Sequence, residues 1–142
     1  MKKTIRIISA IIAILFSLLT IVEGSKVLLG ITNQDYTVFT PLLIYNVIMG
    51  IVGLSVGGAI WFNHKKVFTS TKIVLIMHSI VLVIVITLYL LSNVVAMHSV
   101  QAMIIRVIVW VVISILVWKS NQSKINNKNN VEQLDKGYSN EK

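Results

Sequence analysis

The sequence contains no cysteine, only one proline and only five acidic residues among its 142 residues. The absence of cysteine excludes disulfide bonds, thiolate metal ligands and thiol nucleophiles. Charged residues make up 13% of the chain and hydrophobic residues 56%, whereas an ordinary soluble domain has roughly 25% charged residues. A soluble fold of this length has too little interior to bury so much apolar surface. The composition therefore predicts a single-domain membrane protein.

Sequence motifs of known catalytic and nucleotide-binding sites are missing as well. There is no Gly-rich phosphate loop, no HExxH zinc motif, no GxSxG elbow and no pair of intramembrane carboxylates. No basic helix is interleaved with aromatic residues in the manner of nucleic-acid-binding proteins. We therefore predict no enzymatic activity, no catalytic residue, no metal ligand, no cofactor and no nucleic-acid partner.

Four apolar stretches contain most of the hydrophobic residues. Each is close to the roughly 20 residues that cross a hydrocarbon core about 30 Å thick. Their apolar residues lie all around rather than on one face, and a lone strand in lipid would leave its backbone unpaired, so helices are predicted. The predicted fold is all-α, a bundle of four transmembrane helices with short loops. The helices are predicted at Ile5–Val22, Leu42–Phe62, Ile73–Leu91 and about Val94–Trp118.

The segment after the fourth stretch, residues 119–142, differs from the rest in composition. It is rich in Asn, Lys, Ser and Gln and has few large apolar side chains. Burial of so little apolar surface cannot offset the entropy lost on ordering. The sequence therefore predicts a polar, disordered tail.

Basic residues cluster at alternate ends of the apolar stretches. They precede the first stretch, fill the loop at 63–72 and follow the last stretch: Lys2, Lys3, Arg6, Lys65, Lys66, Lys72, Lys119, Lys124 and Lys128. Because positive charge stays on the cytoplasmic side, both termini and this loop are predicted to be cytoplasmic. The net charge of +8 then reflects topology and attraction to anionic lipid. The predicted location is the bacterial inner (cytoplasmic) membrane, with the lipid bilayer as the first partner.

The first apolar stretch also resembles a secretory signal. MKKTIR precedes an apolar run, and Val22-Glu23-Gly24 is a passable cleavage site. Cleavage would leave three helices and an external amino terminus. The run is longer than a usual signal core, so retention of the first helix is the prediction.

Arg106 lies inside the fourth apolar stretch, about 18 Å from its inner boundary at 1.5 Å per residue. A charge at this depth costs at least about 2.5–3.5 kcal/mol and normally turns toward a partner or water. The best partner is Glu23, which lies about one and a half turns further out, a gap that a long arginine side chain partly closes. The pair would line an outward-facing polar pocket for a ligand or ion. Alternatively, Arg106 is structural and Glu23 lies in the headgroup layer.

Two histidines invite a haem hypothesis. His78 lies about 9 Å into the third stretch, whereas His98 lies near the opposite boundary, so about 20 Å of depth separates them. Bis-histidine haem ligation requires two imidazoles at matching depth. We therefore predict that His78 is a hydrogen-bonded interior residue, with a ligand or proton-relay role as the alternative.

Small residues form a stripe along the second stretch. Asn46, Gly50, Gly53 and Gly57 fall at i, i+4, i+7 and i+11, so they share one helix face. Small residues at such spacing let another transmembrane helix approach closely. The stripe predicts helix packing, either within the bundle or at a homodimer seam.

Two short segments are VEGSKVLLG at residues 22–30 and AMHSVQAMIIRVIVW at residues 96–110. They resemble a family of small four-helix bacterial membrane proteins that have no established activity. Gly24, Lys26 and Gly30 also resemble a pattern in DoxX-like proteins, with Lys26 one position early. The resemblance implies a membrane location and a four-helix fold, but no chemistry.

The function predicted from these features is that of an accessory or interaction protein without catalytic activity. Its partner would be a second copy of the chain or another membrane protein. The alternative is a small oligomeric transporter or channel that uses Glu23 and Arg106. A membrane haem or redox protein is a more remote alternative, which the unequal depths of the histidines oppose.

Overall fold

The chain folds into four α-helices in the computed structural model, which describes residues 2–31, 39–92 and 95–139. Within these ranges no strand is present. The helices are α1 (Lys2–Leu28), α2 (Thr40–Trp61), α3 (Val67–Ser92) and α4 (Met97–Ser139). Each contains a segment that is long and apolar enough to cross a membrane. The predicted all-α fold of four membrane-spanning helices is confirmed, and this is the architecture of a multi-pass membrane protein.

Most helices extend beyond the apolar stretches that predicted them. α1 ends at Leu28 instead of Val22, and α3 begins at Val67 instead of Ile73. The apolar stretch marks only the part that crosses hydrocarbon, whereas backbone hydrogen bonding continues through interfacial residues until something interrupts it. The suspected cleavage site, residues 22–24, consequently lies inside α1.

α4 shows the largest difference from the prediction. It continues to Ser139, whereas the sequence predicts a helix end near Trp118 and a disordered tail at 119–142. Residues 119–139 contain no proline and a single glycine. A helix that is already formed propagates through residues that do not break it.

Two helices end in the same hydrogen-bonded motif. After α1, Gly30 adopts a left-handed φ of 68°, and the amides of Gly30 and Ile31 donate to the carbonyls of Val27 and Lys26 at 3.1 and 3.0 Å. This is a Schellman cap, in which glycine has no steric cost.

Asn63 takes the same role after α2, with a φ of 58°. The amides of Asn63 and His64 donate to the carbonyls of Ile60 and Ala59 at 3.1 and 3.0 Å. Asparagine tolerates this left-handed conformation better than most residues. The result is a tight turn of residues 62–66 between α2 and α3.

The closest helix pair is α1 and α2. The stripe of Asn46, Gly50, Gly53 and Gly57 is buried, and its three glycines lie against α1. A Cβ atom at Gly50 would lie 2.6 Å from Ile21 Cγ1, and one at Gly57 would lie 2.7 Å from Ile14 Cγ1. Substitution with any larger residue would therefore push the two helices apart.

α1 presents a matching face of small residues that the sequence analysis overlooked. The buried members are Ser9, Ala10, Ala13, Ser17, Thr20 and Gly24. A Cβ atom at Gly24 would lie 2.7 Å from Val47 Cγ2 of α2. Small residues on both helices let the backbones approach, and the gain in van der Waals contact stabilises the pair in lipid.

The remaining helices complete the bundle around this pair. α4 packs against both α3 and α1, whereas α2 and α3 approach each other along a short length only. The buried apolar side chains form two clusters at different depths. The first includes Ala13, Val56, Val74, Trp110 and Ile113. The second consists of Leu42, Val85, Val95, Val100 and Met103.

The packing of α2 against α1 predicts a strong difference between two glycines. A Cβ atom at Gly53 would lie 2.9 Å from Trp110 Cζ2, whereas one at Gly58 would meet no atom within 4 Å. We expect Gly53→Leu to lower the thermal unfolding midpoint in detergent, because overpacking costs typically about 1–3 kcal/mol. Gly58→Leu, with the same gain in helix propensity, is the matched control. Equal midpoints for the two variants would contradict this packing.

Candidate functional site

Polar side chains from all four helices meet between the two apolar clusters. This group, here named the polar layer, consists of Ser17 and Thr20 of α1, Tyr45 and Asn46 of α2, His78 of α3 and Arg106 of α4. Along each of the last three helices, its members fall between residues of the first cluster and residues of the second. The layer therefore lies within the membrane-spanning part of the bundle.

His78 is buried at 3% exposure and makes a hydrogen bond with Tyr45. The distance from its Nδ1 to the Tyr45 hydroxyl oxygen is 3.0 Å. The hydroxyl donates this bond when the histidine proton is on Nε2, and accepts it otherwise. The imidazole also packs against the Trp110 ring, with 6.2 Å between ring centroids. His78 is thus an interior histidine with a partner on another helix.

Arg106 brings a positive charge into the layer. It is half-buried, and its Nε is buried without a hydrogen-bond partner. Glu23 lies on an exposed part of α1. The predicted pairing of Glu23 with Arg106 stays a prediction.

Other polar atoms of the interior also have unused hydrogen-bonding capacity. Asn46 Oδ1 and Ser114 Oγ are buried without a hydrogen-bond partner. Buried polar groups in folded proteins are nearly always paired with protein or with water. An unpaired acceptor on Asn46 and an unpaired donor on Arg106 in the same layer indicate that the layer can take up a small polar species.

A small cavity adjoins Arg106 and His78. Its volume is about 10 Å³, which is about the room that one water molecule needs. The residues that line it are Phe16, Ser17, Thr20, Met49, Gly50, His78, Arg106 and Trp110. The cavity suits a single water or a very small ion and is far too small for an organic substrate.

The polar layer includes three of the predicted site residues and excludes one. Arg106, His78 and Asn46 belong to the layer, and Gly50 lines its cavity. Glu23 lies outside the layer, on an exposed part of α1.

The other two glycines serve helix packing. Gly53 faces Ser17 and Trp110, and Gly57 faces α1.

The sequence analysis missed four residues at the layer: Ser17, Thr20, Tyr45 and Trp110. Tyr45 could have been found from its position beside Asn46 within an apolar run.

The two histidines of the haem hypothesis lie at different depths in the structure. His78 packs against Trp110, which is twelve residues along α4 from His98, or about 18 Å of helix. One copy of the chain therefore cannot place both imidazoles on one iron. Among the residues that the structure describes, no group of three or more His, Asp or Glu side chains could hold a metal ion.

No family model, no curated protein and no solved structure matches this chain. The resemblance to small four-helix bacterial membrane proteins, and to DoxX-like proteins, therefore stays a prediction. The polar layer, its cavity and the outer surface of the bundle are the features from which a function is inferred.

The Tyr45–His78 bond predicts unequal effects of one substitution at two tyrosines. Tyr45→Phe would leave a buried imidazole nitrogen without its partner, at a cost of about 1–3 kcal/mol. We expect it to lower the unfolding midpoint clearly more than Tyr89→Phe, since Tyr89 is a half-buried tyrosine that packs against the second apolar cluster. A thermal unfolding series in one detergent provides the comparison. Indistinguishable midpoints would show that the bond contributes nothing to stability.

Proposed function

We propose that this chain is a multi-pass protein of the bacterial inner membrane that acts as an accessory or interaction subunit and has no catalytic activity. Both termini and the α2–α3 turn lie on the cytoplasmic side in this proposal. It is supported by the basic residues at these segments, including Arg6, Lys65, Lys66 and Lys119.

The observation that carries the proposal is the small size of the space at the polar layer. Binding sites for organic ligands typically enclose about 300–1,000 Å³, whereas the cavity beside Arg106 has about 10 Å³. The layer's best-defined bond, between Tyr45 and His78, joins two helices of the same chain. Such a layer holds helices in register and leaves no room for a substrate.

The outer surface is then the part of the bundle through which the protein acts. Every helix presents large apolar side chains outward near the middle of its span. Four of these are exposed to nearly the same extent, at 56% for Leu15, 55% for Ile51, 52% for Ile80 and 57% for Ile108. In the membrane these faces contact lipid or the helices of a partner, which is a second copy of the chain or another membrane protein.

A small oligomeric transporter or channel is the second candidate. The specific observation in its favour is that Arg106 Nε and Asn46 Oδ1 are both buried without a hydrogen-bond partner. A charge in a membrane span often marks an ion or substrate pathway. Among the described residues, the cavity at the polar layer is too narrow for such a pathway, so this function requires several copies.

Cross-linking from the four matched positions tests whether the chain has a protein partner. Because the chain has no cysteine, Leu15→Cys, Ile51→Cys, Ile80→Cys and Ile108→Cys can each be labelled alone with a photoactivatable benzophenone. In native membranes we expect a protein adduct from one position, or from two on neighbouring helices, and lipid adducts from the others. The positions that give only lipid adducts serve as internal controls, since all four positions are almost equally exposed and lie near mid-span.

The same labelled proteins in pure lipid vesicles distinguish the two kinds of partner. An adduct that persists there comes from a second copy, whereas one that disappears comes from another protein. Lipid adducts alone at all four positions would contradict the proposal. Ion flux through vesicles containing the purified protein, abolished by Arg106→Met, would establish the second candidate instead.

A further inference from the structure

A second polar pocket lies at the end of the bundle where α1 begins and α2 turns into α3. Its volume is about 30 Å³, two to three times the room that one water molecule needs. It is lined by Arg6 of α1, Asn63, His64 and Lys65 of the turn, and Ser120 and Asn121 of α4, over an apolar floor. This pocket is separate from the polar layer.

The side chains around the pocket suit an anion. Arg6 and Lys65 provide positive charge, and no aspartate or glutamate is among the described residues that line the pocket. The Nε of Arg6 is buried and has no hydrogen-bond partner. An unpaired guanidinium donor beside a second basic residue is matched by the oxygen atoms of a phosphate, with which arginine forms strong charge-assisted bonds.

The pocket also lies at the depth of lipid headgroups. Trp61 and Phe62 at the end of α2 are exposed, and so is Trp118 on α4; aromatic side chains of this kind concentrate at the membrane–water interface. The apolar lining residues are Ile60, Val67, Phe68 and Val117, all of which lie within candidate membrane spans. A phospholipid at this level would place its phosphate at the polar rim of the pocket while its acyl chains stay in the bilayer.

The turn is built so that its basic residue lies at the rim. The left-handed Asn63 ends α2, and the amide of Lys66 donates to His64 Nδ1 at 3.4 Å. The resulting turn has five residues. Within it, Lys65 lines the pocket, whereas its neighbour Lys66 is not among the lining residues. The two neighbouring lysines therefore provide a matched pair for an experiment.

From this geometry we propose that the pocket binds the phosphate of an anionic phospholipid, with Arg6 and Lys65 as its ligands. The shared chemistry is a phosphate oxyanion, for which free phosphate is the other source. Basic pockets between transmembrane helices bind anionic headgroups by the same combination of charge and interfacial depth. The site goes beyond the proposed interaction role and depends neither on a partner nor on the polar layer.

Native mass spectrometry of the full chain in detergent tests the site directly. The protein is titrated with phosphatidylglycerol and, in parallel, with phosphatidylcholine, whose headgroup carries no net charge. We expect tighter binding of phosphatidylglycerol, and a loss of about tenfold or more in Arg6→Gln, the effect of one charge-assisted hydrogen bond. Lys65→Gln is expected to weaken binding severalfold, whereas Lys66→Gln and Lys3→Gln leave it unchanged.

Each alternative outcome overturns the assignment. Equal affinity for the two lipids, or equal losses in Lys65→Gln and Lys66→Gln, would show that the pocket has no part in lipid binding. Lys65 is exposed, so its variant remains informative if Arg6→Gln does not fold. Displacement of phosphatidylglycerol by excess inorganic phosphate, in the wild-type protein but not in Arg6→Gln, would identify free phosphate as the ligand and reject the lipid.

Discussion

The close approach of α1 and α2 is the contact on which the rest of the bundle depends. In lipid there is no hydrophobic force to hold helices together, so they associate where small residues permit extensive van der Waals contact. Here both helices contribute small side chains, from Ser9 to Gly24 on α1 and from Asn46 to Gly57 on α2. The missing side chains at Gly50 and Gly53 also create the space that the cavity and Trp110 occupy. Helix packing and the polar layer thus have one common cause.

The polar layer compensates for a weakness elsewhere in the packing. α2 and α3 approach each other along a short length only, yet the Tyr45–His78 bond joins them inside the membrane. A hydrogen bond between transmembrane helices is worth roughly 0.6–2 kcal/mol, which is useful where apolar contact is sparse. Arg106 adds a partly buried charge to the same layer, and its Nε, like Asn46 Oδ1, has no hydrogen-bond partner there.

The number and type of helices could be predicted because hydrocarbon thickness sets the length of an apolar run. Helix ends were harder: Gly30 and Asn63 end helices through left-handed backbone conformations that apolar periodicity does not register. The glycine stripe was visible from its helical spacing, and Arg106 was visible because charged residues are rare in membrane spans. Tyr45, Ser17 and Trp110 were not, since their role comes from neighbours on other helices, and neither was the basic pocket, which combines Arg6 with a turn some sixty residues away.

The central claim is that the polar layer is a closed structural element inside the bundle. Ser17 is buried, lines the cavity and can be replaced by cysteine with little change in volume, in a chain that has no other thiol. The decisive measurement is the reaction of Ser17→Cys in sealed membrane vesicles of both orientations with a charged methanethiosulfonate, with Phe62→Cys as the exposed reference. The account predicts labelling of the reference in one orientation and none of Ser17→Cys in either. Rapid labelling of Ser17→Cys from one or both sides would show an aqueous path to the layer and contradict the account.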